Sequence, residues 1–134
     1  MELIRFPFRR IGKEYLGTIW RPYAMVMFRG PNQRWISVEM VVDSGADHTL
    51  LPGRYASLLG IDLRACIKRA TAGVGGPENI YLYTSLTVSL GSWQKKVPVG
   101  FLGRDDVPPL LGRLGFLESL DVRFRNHQTT FARP

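Results

Sequence analysis

Apolar residues in this chain come in short runs, rich in β-branched and aromatic types and separated by glycine, proline and asparagine. That is a pattern of strands and turns rather than of helices. Ile19–Phe28 predicts a strand that Arg21-Pro22 interrupts, which fits an edge position or a bulge. After an Arg29–Gln33 turn, Trp35–Val42 predicts the next strand. Trp35, Val38 and Met40 offer one side, while Ile36 and Val41 disturb the alternation, as in strands near the centre of a sheet. His48–Pro52 predicts a brief return to the sheet, and Arg54–Gly60 a single helical turn closed by glycine. Further strands are expected over Ile61–Arg69, Ile80–Leu90 and Val97–Leu102, the last two separated by a Gly91–Gln94 turn. Val122–Arg125 and Thr129–Ala132 complete a hairpin around Asn126-His127-Gln128, and His127 at its tip is expected to be exposed and inert. The expected class is all-β.

Met1–Thr18 is basic and shows no clear alternation, so residues 1–18 are expected to be an irregular lead-in and residues 19–134 one domain. A chain of 134 residues with 45% hydrophobic content supports one core and not two. No apolar run approaches transmembrane length, so no membrane partner is expected. The segment MELIRFPFRRIGK carries charges inside its short apolar portion and is not expected to act as a signal peptide. The single cysteine, Cys66, has no intramolecular disulfide partner, which fits a reducing cytoplasm. Its neighbours Arg64, Lys68 and Arg69 read as a solvated face rather than as the surroundings of a nucleophile. The net charge of +7 raises nucleic acid as a partner, but the basic residues are scattered and no helix-borne stripe collects them. Arg123 and Arg125 alternate with Val122 and Phe124 as on the outer face of an edge strand, so a solvated surface is the better reading.

The stretch Val41-Val42-Asp43-Ser44-Gly45-Ala46-Asp47-His48-Thr49-Leu50-Leu51-Pro52 changes the picture. Asp43 stands where a buried strand should end, and a lone carboxylate there is costly unless something uses or satisfies it. An Asp-Ser-Gly triplet by itself also describes many turns and caps. Two further blocks accompany it. Ala70–Pro77 places Gly73, Gly75 and Gly76 around Val74 between two β-rich runs, which describes a hairpin tip where the backbone can approach another molecule. A phosphate-cradling loop is the rival, but neither a helical pattern nor a lysine follows these glycines. The third block is Pro109-Leu110-Leu111-Gly112-Arg113-Leu114-Gly115-Phe116-Leu117, with a short helix expected after it through Leu120. Asp105-Asp106 is a weak metal candidate, with no histidine or further carboxylate nearby in sequence.

In this order and spacing the three blocks resemble the single-domain, bacterial-type retropepsin-like aspartic proteases, over roughly Arg21 to Phe131. The resemblance implies a closed, barrel-like β fold with a β-hairpin flap and one short helix near the C-terminus. It makes Asp43 the catalytic carboxylate that binds the attacking water. Gly45 would permit the turn that aims it, and the Ser44 hydroxyl would tie the loop to its partner loop, with Ala46 completing the turn. Gly73, Val74, Gly75 and Gly76 would form the substrate-binding flap. Leu111 and Gly112 would support the loop from beneath, and Arg113 would pair with Asp47, a carboxylate expected to be buried. Ser44 replaces a commoner threonine, Pro77 stiffens one flap shoulder, and His48 stands where retroviral enzymes often carry a second acid, which makes it a pocket candidate.

The chemistry that the resemblance implies needs two carboxylates, and only one such loop is present; Asp105-Asp106 lacks the following Ser/Thr-Gly. Resemblance and stoichiometry together imply a homodimer acting on polypeptide, with the site on a two-fold axis and neither metal nor organic cofactor. The alternative of another class is a catalytically silent, dimeric peptide-binding module of the same fold.

Overall fold

A computed structural model describes residues 1–73 and 76–134. Along the chain run β1 (Glu2–Pro7), β2 (Arg9–Glu14), β3 (Gly17–Arg21), β4 (Tyr23–Arg29), β5 (Trp35–Val42) and β6 (Thr49–Leu51). The helix α1 (Arg54–Leu58) leads to β7 (Ile67–Gly73), β8 (Gly76–Leu90) and β9 (Trp93–Leu102). Last come β10 (Leu110–Leu111), β11 (Asp121–Arg125) and β12 (Gln128–Ala132).

Six strands close on themselves in the order β4-β5-β10-β6-β9-β8, because β8 returns to β4 through Met27–Ser89 and Phe28–Val88. A bulge between Tyr83 and Leu86 bends the long β8, so that its first part pairs with β7 while its last part reaches β4. Alternation fills the barrel: Ala24, Val26 and Phe28 from β4, Val38, Met40 and Val42 from β5, and Val97, Val99 and Phe101 from β9 are buried. The all-β class and the closed barrel are as expected.

Several local expectations are revised. Pro22 divides the first expected strand: β3 pairs only with β2 in a separate hairpin, and β4 belongs to the barrel. Proline has no N–H for the ladder, and its carbonyl instead accepts from the Val42 amide at 3.0 Å. The lead-in is not irregular, since β1 pairs antiparallel with β12 and Phe6 packs edge-on against Phe131 at 6.1 Å. Ile4 and Phe6 carried that alternation, and the flanking charges masked it. Trp35 does not share a face with Val38 and Met40; it pairs with Arg29, whose guanidinium lies 4.2 Å above its ring. The strand expected from Ile61 begins only at Ile67, because Asp62 caps a 3-10 turn over Leu63–Ala65 by accepting from the Arg64 amide. The short helix near the C-terminus is a 3-10 turn, Leu117–Ser119. Gly115, left-handed at φ +70°, and the start of β11 leave too few residues for an α-helical segment.

Candidate active site

Asp43 is the residue at which β5 leaves the barrel, immediately after the buried Val42. Its amide donates to the Leu111 carbonyl at 3.0 Å, and its own carbonyl accepts from Ala46 at 3.1 Å. The half-buried carboxylate is oriented from within its own turn, Oδ1 accepting the Gly45 N–H at 2.9 Å. Gly45 was expected to supply turn freedom, but it is not among the left-handed glycines. The constraint is space, since a Cβ there would stand 3.2 Å from Asp43 Oδ1 and press on the carboxylate.

The loop is held from below by the third block. β10 runs parallel to β5, pairing Leu110 with Val41 and Leu111 with Val42, and on its other side meets β6 through Leu110–Leu50. Leu111 is wholly buried in that position. Beyond it, the Arg113 amide donates to the Ala46 carbonyl at 3.0 Å and the Leu114 amide to the Asp47 carbonyl at 2.9 Å. Gly112 crosses so close to the loop that a Cβ would lie 2.1 Å from the His48 carbonyl oxygen. Its amide donates to Thr49 Oγ1 at 3.2 Å, and Thr49 is fully buried. Thr49 is a supporting residue that sequence reasoning missed; a hydroxyl inside the apolar return strand was the available signal.

Arg113 and Asp47 form an ion pair, as expected, but not a buried one. The Asp47 side chain is 77% exposed and that of Arg113 43% exposed, because Asp47 lies past the turn and faces outward. Breaking the pair therefore does not strand a buried charge. Arg113→Ala is expected to lower the stability of the single chain by at most about 1 kcal/mol, read as a small shift in Tm. The guanidinium Nε is nevertheless buried and has no acceptor among the described residues.

Ser44 is exposed and borders a groove of about 410 Å³ shared with Arg113, Leu117, Val122 and Phe124. His48 is half-buried, with its backbone against Gly112. The glycine-rich block does form a hairpin of β7 and β8, paired as far as Gly73–Gly76. Val74 and Gly75, expected at its tip, lie outside the described residues.

The remaining chemical candidates are accounted for locally. Asp105 Oδ1 accepts the Arg54 amide at 2.8 Å, and Asp106 is gripped by Arg104. The Arg104 guanidinium holds the Asp106 carboxyl below its ordinary value. That pair thus favours the fold above the ordinary aspartate range and ceases to as pH falls through the lowered value; both groups are exposed, so the acid effect on Tm should be small. Burial, and then the Asp62 charge, push the Cys66 thiol up, away from nucleophilic thiolate. Among the described residues no three His, Cys, Asp or Glu side chains converge as a metal would need. His127 is exposed at its turn, yet it stacks on Trp20 with ring centres 4.5 Å apart.

Residues 25–114 match the family profile described as aspartyl protease. Among solved structures the chain is similar to a retropepsin-like aspartic protease from Rickettsia conorii, at 20% identity and a TM-score of 0.64, over 93% of this chain and 98% of that one. It is also similar to the EIAV protease complexed with the inhibitor HBY-793, at 22% identity and a TM-score of 0.53, over 69% of this chain and 82% of that one. At such identities the likeness is one of fold. No curated relative matches the sequence.

Proposed function

The chain belongs to the aspartyl protease family and has the retropepsin-like fold, and from that premise we propose that two copies form one endopeptidase site between their Asp43 carboxylates. The observation that carries this reading is the turn at Asp43, which aims a single half-buried carboxylate from a strand end through the Gly45 amide. One chain contributes one such loop, so the second acid comes from the second copy. As in aspartic-protease dyads generally, two facing carboxylates share one proton. The ionised Asp43 takes a proton from water as the water oxygen bonds to the peptide carbonyl carbon. The protonated Asp43 donates to the developing oxyanion. A proton then passes to the nitrogen as the C–N bond breaks, and no step needs a metal or cofactor.

The other proposed roles follow the same frame. Ser44 meets the partner loop, and Ala46, Asp47, Leu111, Gly112 and Arg113 hold the active-site loop in place. The hairpin containing Gly73, Val74, Gly75 and Gly76 covers the bound polypeptide, and His48 borders a side-chain pocket. No helix among the described residues is long and apolar enough to cross a membrane. A cytoplasmic setting is proposed on the lone cysteine.

The test is digestion of a peptide library by wild type beside Asp43→Asn, with binding measured on both. Cleavage by wild type alone supports the endopeptidase. Binding by both with cleavage by neither would make the chain a peptide-binding module instead.

A further inference from the structure

A hollow of about 280 Å³ shares no lining residue with the Ser44 groove. Three segments frame it: the turn that follows β4, the chain that follows α1, and β8 at its bulge. The first two touch, since a Cβ on the left-handed Gly60 would stand 3.3 Å from Pro31 Cγ. Leu59 and Leu86 are buried, and with Pro31 and Ile61 they make the walls apolar. Arg29 closes the polar end. Its guanidinium lies 4.2 Å above the Trp35 ring and Nη1 donates to Gln33 Oε1, so the group is held in place. Among the described residues Nη2 donates to no acceptor and no carboxylate pairs with Arg29. The pairs Met27–Ser89 and Phe28–Val88, extended by one residue, set Arg29 beside Thr87, and Thr87 stands opposite Lys96. These three form a row on the outer face, because Phe28, Val88 and Val97 point into the barrel. The row thus holds two cations and a hydroxyl, with no acid between them.

We propose that this hollow binds a small monocarboxylate that carries a branched aliphatic group. The carboxylate meets Arg29 Nη2 and the Thr87 hydroxyl, with Lys96 adding positive charge, and the aliphatic body lies against Leu59 and Leu86. The volume is near the lower end for ligand sites and suits a ligand of few atoms. A doubly charged phosphate fits less well, because a single guanidinium faces a hollow whose other walls are largely apolar. Position gives the site a consequence. The bulge between Tyr83 and Leu86 separates the part of β8 that pairs with β7 from the part that closes on β4. A ligand seated there fixes the β7–β8 hairpin at its base, and hairpin motion accompanies turnover. This consequence rests on the endopeptidase reading; the binding does not.

The test titrates isotope-labelled wild type with N-acetyl-leucine and with isocaproate, reading the amide resonances of Gly30, Gly60 and Thr87. Both acids should give saturable shifts, and the tighter of the two tells whether a peptide end or a free acid is the source. N-acetyl-leucinamide, which has the same shape without the charge, and inorganic phosphate should bind at least about tenfold more weakly. Arg29→Gln should raise Kd at least about tenfold and Thr87→Val about threefold, with Tm recorded for each. Arg123→Gln, on β11, is the control and should bind as wild type does. Shifts that fail to saturate, or that the amide and phosphate match, would overturn the site. Unchanged binding in the variants would do the same, Thr87→Val deciding where Arg29→Gln does not fold. In peptide cleavage, saturating N-acetyl-leucine should lower kcat at least about twofold and leave KM nearly constant. A rise in KM alone would put the ligand over Asp43 and remove the effect on the hairpin, as would cleavage untouched by a ligand that binds. A chain that cuts no peptide would defeat the Asp43 reading, while the titration still decides the carboxylate site.

Discussion

Equal amounts of wild-type and Asp43→Asn chains, mixed so that subunits exchange freely, are expected to leave only about a quarter of the dimers able to cut. An amide in place of one carboxylate cannot take the proton from water, and it cannot share a proton with its twin. The Asp43→Asn homodimer should therefore fold and bind peptide but lose at least about a thousandfold in turnover. In the mixed dimer one intact Asp43 faces an asparagine, so half of all dimers gain nothing from their wild-type chain. Cleavage per dimer should follow the square of the wild-type fraction. Proportionality to the fraction itself would mean that each chain carries a complete site, and the shared-dyad reading would then be wrong. Asp43 lies at the end of β5 with its amide and Oδ1 bonded within the loop and to Leu111. Asparagine keeps both contacts, its backbone amide donating to Leu111 and its own Oδ1 accepting the Gly45 N–H, so lost activity with an unchanged Tm is the expected combination.

Among the glycines of the described residues, Gly112→Ala should have the largest effect on stability. The new Cβ would meet the His48 carbonyl oxygen at 2.1 Å, its carbon at 2.4 Å and the Thr49 amide nitrogen at 2.9 Å. All three are backbone atoms, so no side chain can rotate aside. Relief requires moving the loop away from the strand pair β6 and β10, which breaks the Thr49–Gly112 bond inside the core. A loss of about 3 kcal/mol is expected, a Tm lower by roughly 10 °C. Activity should fall with it, because the same displacement shifts Asp47 and the loop that aims Asp43. Gly103→Ala is the control: its Cβ would find nothing closer than Tyr81 Cε2 at 3.8 Å, and Tm should stay near wild type. A Gly112→Ala protein as stable as Gly103→Ala would show that the crossing is looser than described.

Where sequence reading failed, a local pattern was outweighed by a partner distant in the chain. Ile4 and Phe6 alternate correctly, yet β1 is a strand because β12, more than 120 residues later, offers it an edge. Gly45 does stand in a turn, but only the structure shows that a Cβ there would come within 3.2 Å of the Asp43 carboxylate. The Asp47–Arg113 pair was anticipated as a pair, but burial belongs to the surroundings of a side chain, and Asp47 turns outward.

By itself the sequence determined the strand-rich class, the tip position of Asp43, the glycine hairpin and the Leu110-Leu111-Gly112 support. Each is written in residues next to one another, through β-branching, turn chemistry or the missing side chain of glycine. Only the tertiary structure decided how β10 wedges between β5 and β6, why Gly112 admits no side chain, and that Thr49 carries its hydroxyl into the core. These facts concern backbones brought together from separate parts of the chain. Spacing along one segment carries no information about the distance to another until the barrel has closed.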